Sequence, residues 1–205
     1  TIIAAKHSSI IQDIIISTDD DEISNIGYSE GISIIRRPPE ISSDESPTIE
    51  TVLHVLKKCG EEDIYPRIVI LLQPTSPLRT SEDIDNALSL YQNGDCDSVI
   101  SVTKTPHPPY WNMIIKDSYL LPIFNQDLLR KRRQDLPVAY MPNGAIYISS
   151  PDYLKKNRSF YGERIIPYIM PAERSIDIDS EIDFLLAELI IKRKGVVNEI
   201  NTDCR

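Results

Sequence analysis

Two acidic residues in the stretch Ser175-Ile176-Asp177-Ile178-Asp179-Ser180-Glu181-Ile182-Asp183 are spaced to share one face. In an extended chain successive side chains alternate, so Asp177 and Asp179 point one way while Ile176 and Ile178 turn to the core. Such a pair suits Mg²⁺, which accepts one or two protein carboxylates and completes its shell with water and phosphate. A structural explanation competes with this one. Ser180 followed by Asp183 is a helix N-cap pattern, and acidic side chains favour the positive end of a helix dipole. That accounts for Glu181 and Asp183 and leaves Asp177 unexplained.

Three further stretches carry polar chemistry. Gln73-Pro74-Thr75-Ser76-Pro77-Leu78-Arg79-Thr80 follows an apolar run, where a ligand would lie at the carboxyl end of a buried strand; two prolines and two hydroxyls also make a rigid turn with no ligand. Arg130-Lys131-Arg132-Arg133-Gln134-Asp135 offers guanidinium groups suited to carboxylate or phosphate, although charge runs on helices are commonly just solvated. Arg36-Arg37-Pro38 precedes Ser42-Ser43-Asp44-Glu45-Ser46-Pro47-Thr48, a hydroxyl-rich helix start that can receive an anion or the edge of a base, or simply cap the helix. His7, His54 and His107 are scattered, and GxSxG, HExxH and GxxxxGK[ST] are absent, which argues against a His-based triad or a metal-binding His pair.

Elements able to position these residues alternate along the chain. Short Ile- and Val-rich runs at 13–17, 32–36, 67–72, 97–104, 144–148 and 164–170 read as strands. Amphipathic stretches at 20–26, from Pro47 to a Gly60 stop, from a Ser81 cap through Tyr91, and from Ser180 to Lys194 before Gly195 read as helices. The class is α/β. Residues 106–142 break the rhythm with prolines at 106, 108, 109, 122 and 137, a turn at Asp117-Ser118 and a helical segment around Leu128, as an excursion from the sheet would. One domain of 205 residues with one inserted subdomain is the economical organisation.

With 41% hydrophobic and 26% charged residues, the chain can bury a sizeable core. A net charge of −9, with no basic cluster longer than four residues, excludes a general nucleic-acid-binding surface. Cys59, Cys96 and Cys204 stand far apart without a CxxC pair, so neither a disulfide framework nor a zinc site is expected, and a reducing cytoplasm fits. No apolar run approaches the roughly 18 to 20 residues that span a bilayer, and the opening TIIAAKHSSII has no signal-peptide layout.

Taken in order, RRPPEISSDESPTIE, LLQPTSPLRT, RRQDLP, PNGAIYI and SIDIDSEIDF resemble the successive motifs of CMP-N-acylneuraminate synthetases, the acylneuraminate cytidylyltransferases, from Thr1 to about Leu189. The resemblance implies a Rossmann-like nucleotide-diphospho-sugar transferase fold, with a mostly parallel sheet and a subdomain that docks on a second copy to form a homodimer. Dimer contacts are expected in the excursion and near Phe160-Tyr161, read as exposed aromatics. It also implies a reaction, in which the 2-hydroxyl of a nine-carbon sugar acid attacks the α-phosphorus of CTP and pyrophosphate leaves, with Mg²⁺ present. N-acetylneuraminate, legionaminate and pseudaminate remain open as substrates, within lipopolysaccharide or capsule biosynthesis. By this likeness Asp177 and Asp179 are metal ligands and Gln73 binds the sugar acid. Arg37, Ser46 and Thr48 border the nucleotide, and Arg133 with Arg132 contacts reacting anionic groups. Asn143, read as the first residue of an NG turn, completes the sugar pocket. Met141 departs from the polar or basic residue that relatives often carry there. The family's opening strand and its Gly-, Arg- and Lys-containing triphosphate loop would stand ahead of Thr1, and without that strand the sheet would lack a central member. A binding-only homologue is the alternative.

Overall fold

Alternating apolar runs and amphipathic stretches resolve, in the computed structural model, into one four-stranded sheet with helices packed on both of its faces. Residues 1–43 and 45–202 are described, with side chains as far as 193, so Asp44 and Cys204 lie outside the described residues. The chain opens with α1 (Ile2–Lys6), β1 (Ile15–Thr18), α2 (Asp21–Ser29) and β2 (Ser33–Arg36). β1 and β2 pair in parallel as a separate two-stranded sheet, the crossover being α2, which Asp20 caps by accepting the Ile23 N–H at 2.8 Å. Then come α3 (Thr48–Glu61), β3 (Val69–Leu71), α4 (Ser81–Asn93) and β4 (Ser98–Lys104). The excursion contributes β5 (Met113–Lys116), β6 (Tyr119–Pro122) and α5 (Gln126–Leu129), and the chain returns through β7 (Tyr140–Ser149), α6 (Pro151–Asn157), β8 (Ile165–Ile169) and α7 (Glu181–Thr202).

The main sheet has the order β3-β7-β4-β8. β4 and β8 are parallel, and both β3 and β4 run antiparallel to β7, so three strands share a direction and β7 opposes them. Period-two alternation sends neighbours to opposite faces. Val99, Ile146 and Ile148 pack with Ile84, Ala87 and Leu88 of α4, whereas Ile100 packs on the other face with Val52 and Leu56 of α3 and Leu154 of α6. Neither β1 nor β3 pairs with a strand on its second edge among the described residues.

Several sequence expectations are corrected. The 67–72 run is strand only over Val69–Leu71, and it is half-buried because it pairs on one edge alone. Thr80, not Ser81, is the N-cap of α4, in a reciprocal capping box with Asp83. Gly60 lies within α3, which ends one residue later, and α7 continues through Gly195 to Thr202. Phe160 is buried, its ring 5.6 Å from that of Tyr147, so of the expected exposed pair only Tyr161 faces solvent.

The excursion has the expected turn. Asp117 and Ser118 both adopt positive φ, 50° and 67°, the pairing that a two-residue hairpin of this hand requires. Its two strands are apolar on both faces yet exposed: Ile115 is 78% and Leu120 62% accessible, with Met113, Ile114, Tyr119 and Leu121 also uncovered.

Candidate active site

β7 is distorted where it passes the middle of β4. Between the pairs Ile100–Tyr147 and Val102–Pro142, the single residue Ser101 faces residues 143–146. Bulges of this kind re-aim side chains and recur beside active sites. Ser101 fills the break in the ladder: its hydroxyl donates to Asn143 Oδ1 at 2.6 Å and accepts the Ile146 N–H at 2.7 Å. Asn143-Gly144 is therefore not the hairpin turn its sequence suggested but the crest of a bulge inside a strand. Gly144 takes a φ of +71°, where a Cβ would be strained, and that bend turns the local backbone toward two other segments.

Those segments follow the carboxyl ends of β3 and β8, the side of an α/β sheet at which ligands bind. Gln73 Oε1, Ser76 Oγ and Asp177 Oδ2 each lie 2.8 Å from the position a Cβ on Gly144 would occupy. Ser76, fully buried, donates to the Asn143 carbonyl at 3.0 Å and to Asp177 Oδ1 at 3.3 Å. The Ile178 N–H donates to the Thr75 carbonyl at 2.9 Å and ties the two segments together. Gln73, Asn143 and Asp177, expected from sequence, are thus brought to one point. Asn143 is itself internal, its Nδ2 donating to Ser175 Oγ at 2.9 Å and to Met170 Sδ at 3.3 Å, so it forms the wall behind Gly144.

Buried behind this cluster is Arg79. Its guanidinium donates to the Ala145 carbonyl at 2.8 Å and to the Gln73 carbonyl, holding the Gln73 loop against β7. Burial brings its pKa down to about 10, opposed by the Asp177 and Asp83 carboxylates, so it remains charged at neutral pH and lends positive potential to Asp177. The Tyr147 phenol is pushed well up, by burial first and then by Tyr161 and Asp177, and stays protonated.

The remaining expected residues sit elsewhere. Asp179 is exposed; its backbone N–H donates to Asp183 Oδ2 at 3.3 Å, and Asp183 also accepts the Ser180 N–H and hydroxyl at 2.9 and 2.6 Å, the helix-start pattern read from the sequence. Arg37 follows β2, donating its backbone N–H to the Thr18 carbonyl at 2.9 Å and Nη2 to the Ser17 carbonyl at 3.3 Å, with Asp19 at 3.7 Å. Its Nε is buried without a partner among the described residues, as is the Ser17 hydroxyl. Ser46 shares a hydrogen bond with Ser43 at 2.9 Å, and Thr48 opens α3. Arg132 is paired with Asp135 at 2.8 Å on the surface, and Arg133 opens the short turn to Asp135. No hydrogen bond or ion pair among the described residues joins Arg37, Ser46, Thr48, Arg132 or Arg133 to the Gly144 cluster. Sequence reasoning missed Ser101, Arg79, Asp83 and Arg174; for Asp83 the Thr80-x-x-Asp83 spacing was a signal, but only of a cap.

No group of three or more His, Cys, Asp and Glu among the described residues could hold a metal alone. The donors present, Asp177 backed by Gln73 and Ser76 with Asp179 two residues on, are all oxygens, a set that fits a hard divalent ion completing its shell with phosphate and water. No helix among the described residues is long and apolar enough to cross a membrane.

Comparison with known proteins gives the family. A cytidylyltransferase family profile matches residues 1–184. An N-acylneuraminate cytidylyltransferase of Escherichia coli is 34% identical over 196 residues, 95% of this chain and 46% of that protein. A CMP-N,N'-diacetyllegionaminic acid synthase of Legionella pneumophila is also 34% identical over 196 residues, covering 94% of this chain and 83% of that one. The chain spans about half the length of the Escherichia coli relative and most of the Legionella one. Among solved structures, CMP:2-keto-3-deoxy-manno-octonic acid synthetase complexed with CTP superposes with a TM-score of 0.61 at 12% identity, over 92% of this chain and 85% of that one. That likeness shows the Rossmann-like nucleotidyltransferase fold, and the profile and the relatives together show that the chain belongs to the cytidylyltransferase family.

Proposed function

We propose that the protein transfers a cytidylyl group from CTP to a sialic-acid-like nonulosonic acid, releasing pyrophosphate. The observation that carries this reading is the meeting of Gln73, Ser76 and Asp177 at Gly144, at the carboxyl ends of β3 and β8, in a chain of the cytidylyltransferase family. The named relatives support the substrate class, since two of them are an N-acylneuraminate cytidylyltransferase and a CMP-N,N'-diacetyllegionaminic acid synthase.

In the reaction the sugar 2-hydroxyl oxygen bonds to the α-phosphorus, the α–β phosphoanhydride bond breaks, and the hydroxyl proton is lost. Transfer of this kind depends on positioning and on neutralising charge. Gln73, with one amide oxygen and two amide hydrogens, orients the sugar acid, and the Asn143 wall closes that side of the pocket. Asp177 and Asp179 would hold Mg²⁺, which would neutralise phosphate charge and polarise the reacting centre. Arg79 holds the Gln73 loop against β7 beside them. Arg37, whose Nε at the carboxyl end of β2 is buried without a partner among the described residues, and Ser46 and Thr48 at the start of α3 border the cytidine nucleotide. Arg133, with Arg132 as its neighbour, approaches the anionic groups from the excursion. A second copy docks on the uncovered hairpin to make a homodimer, and the proposed setting is the cytoplasm, which supplies CTP.

The test is pyrophosphate release from CTP and Mg²⁺ with N-acetylneuraminate, legionaminate or pseudaminate in turn, with the CMP-sugar identified by mass. Turnover with one of the three is expected. Binding of CTP and sugar acid without pyrophosphate release would overturn the reading and leave a binding-only protein.

A further inference from the structure

A second constellation lies behind the site and faces none of it. Asp83, only 1% exposed, collects five donors: the Thr80 N–H at 2.8 Å and hydroxyl at 2.9 Å, the Tyr168 hydroxyl at 2.9 Å, and Arg174 through Nη2 at 2.7 Å and Nε at 3.2 Å. Capping α4 requires only the Thr80 pair. The Tyr168 and Arg174 bonds do something else, because they fasten the start of α4, where the Gln73 loop ends, to the segment that carries Asp177.

That segment is short and held at both ends. Arg174 closes the Ala172–Arg174 turn, and the next residue, Ser175, accepts from Asn143 Nδ2 and donates to the Pro171 carbonyl, both at 2.9 Å. Three residues on, the Ile178 N–H reaches the Thr75 carbonyl. Asp177 lies between these anchors, and Asn143 is tied to the first of them. A guanidinium fork on a carboxylate fixes angle as well as distance, which a single-point contact does not. A buried ion pair is a weak argument for stability, since a well-packed apolar pair often does as well; its distinctive use is to specify one geometry.

We propose that Asp83, acting through Arg174, is a positioning residue that sets where Asp177 and Asn143 stand relative to the Gln73 loop. Its kinetic arm rests on the cytidylyl-transfer reading above; its structural arm does not. In the whole protein, Asp83→Asn and Arg174→Gln, singly and together, are compared with wild type by three readouts. These are melting temperature, kcat and KM for CTP in pyrophosphate release, and the Asn143 side-chain amide resonance in ¹⁵N spectra.

The expected result is a fall in kcat of roughly tenfold or more in either single variant, with KM for CTP changed less than about threefold. The double variant falls no further than the worse single, because one connection has been cut twice. The Asn143 amide shifts in all three while the amides of the β1–β2 sheet stay in place. A lowered melting temperature with wild-type kcat well below it, and an unmoved Asn143 amide, overturns the proposal and leaves a purely structural pair. Should Asp83→Asn fail to fold, Arg174→Lys keeps the charge but loses the fork; wild-type kcat and an unmoved Asn143 amide in that variant overturn the proposal equally. If wild-type protein releases no pyrophosphate with any of the three sugar acids, the functional reading falls, and the Asn143 amide alone then decides for or against the brace.

Discussion

Replacing Gly144 by alanine tests the proposed site at its tightest point. The backbone there sits at a φ of +71°, and the added methyl would stand 2.8 Å from Asp177 Oδ2, Gln73 Oε1 and Ser76 Oγ at once. The left-handed conformation costs a non-glycine residue about 1–2 kcal/mol. Lower freedom of the unfolded chain returns about 0.4–1 kcal/mol of that. Ordinary van der Waals contact begins near 3.4 Å, so each of the three oxygens must retreat by about 0.6 Å. Ser76 has the least room, being fully buried and bonded to the Asn143 carbonyl, so most of the movement falls to Asp177 and Gln73. The backbone terms alone leave a loss of roughly 0–1.6 kcal/mol, and displacing the oxygens adds to it; each kcal/mol lost lowers the melting temperature by about 2–4 °C in a domain of this size. Activity should suffer more: misplacement approaching 1 Å costs up to about a hundredfold, so a loss of roughly ten- to a hundredfold in kcat is expected. Calorimetry and a pyrophosphate-release assay on the same sample separate the two effects. Wild-type kcat in a folded Gly144→Ala protein would refute the idea that these three oxygens must meet at Gly144 for the chemistry.

Three further outcomes are expected. Asp177→Asn and Asp179→Asn should each cut CMP-sugar formation sharply while the melting temperature holds, and Mg²⁺ removal should mimic them; near-normal turnover in both at saturating Mg²⁺ sinks the metal assignment. Ile115→Lys in the exposed hairpin should convert a dimer to a monomer by light scattering, whereas a wild-type protein already monomeric at micromolar concentration counts against the interface. Burial raises the Asp83 pKa, but the donors from Arg174, Thr80 and Tyr168 outweigh it and hold the carboxyl below its ordinary 3.8. The unfolded chain therefore binds this proton first, and the stability Asp83 contributes is complete above about pH 5 and lost as pH falls through 3.8 and below. Melting temperature against pH should accordingly be flatter below pH 4 in Asp83→Asn; an unchanged acid limb would refute the pairing.

The elements were largely legible because their signals are local. The alternation at 97–104 and 144–148 is a two-residue pattern, and Asp117-Ser118 announces a turn by residue type alone. What was misread depends on partners far along the chain. Asn-Gly usually marks a hairpin turn, and only Ser101, which accepts the Ile146 N–H across the sheet, makes it a bulge instead. Phe160 follows the polar Asn157, Arg158 and Ser159 and looked exposed, yet Tyr147 and α3 cover it. The motif residues of the resemblance were found by type, and Gln73, Asn143 and Asp177 do converge. Arg79 lies inside the LLQPTSPLRT motif, yet nothing in the sequence distinguishes a guanidinium that binds two backbone carbonyls from one that meets solvent.

Three carboxylates near the start of a helix show why residue type alone cannot assign the site. An ionised carboxyl offers about four acceptor positions. Asp83 meets five donors and has no capacity left for a ligand, however conspicuous its burial. Asp183 spends one oxygen on the Asp179 N–H and on the Ser180 N–H and hydroxyl, and so serves the start of α7. Asp177 receives only the Ser76 hydroxyl, at 3.3 Å, among the described residues. Short of donors, following the carboxyl end of β8 and beside Gln73 and Ser76, Asp177 is the one of the three that the proposed site can use. The capping reading therefore holds for Asp183, and the ligand reading of Asp177 is the proposal that the acceptor count leaves standing. Acceptor capacity, which only the folded chain reveals, tells them apart.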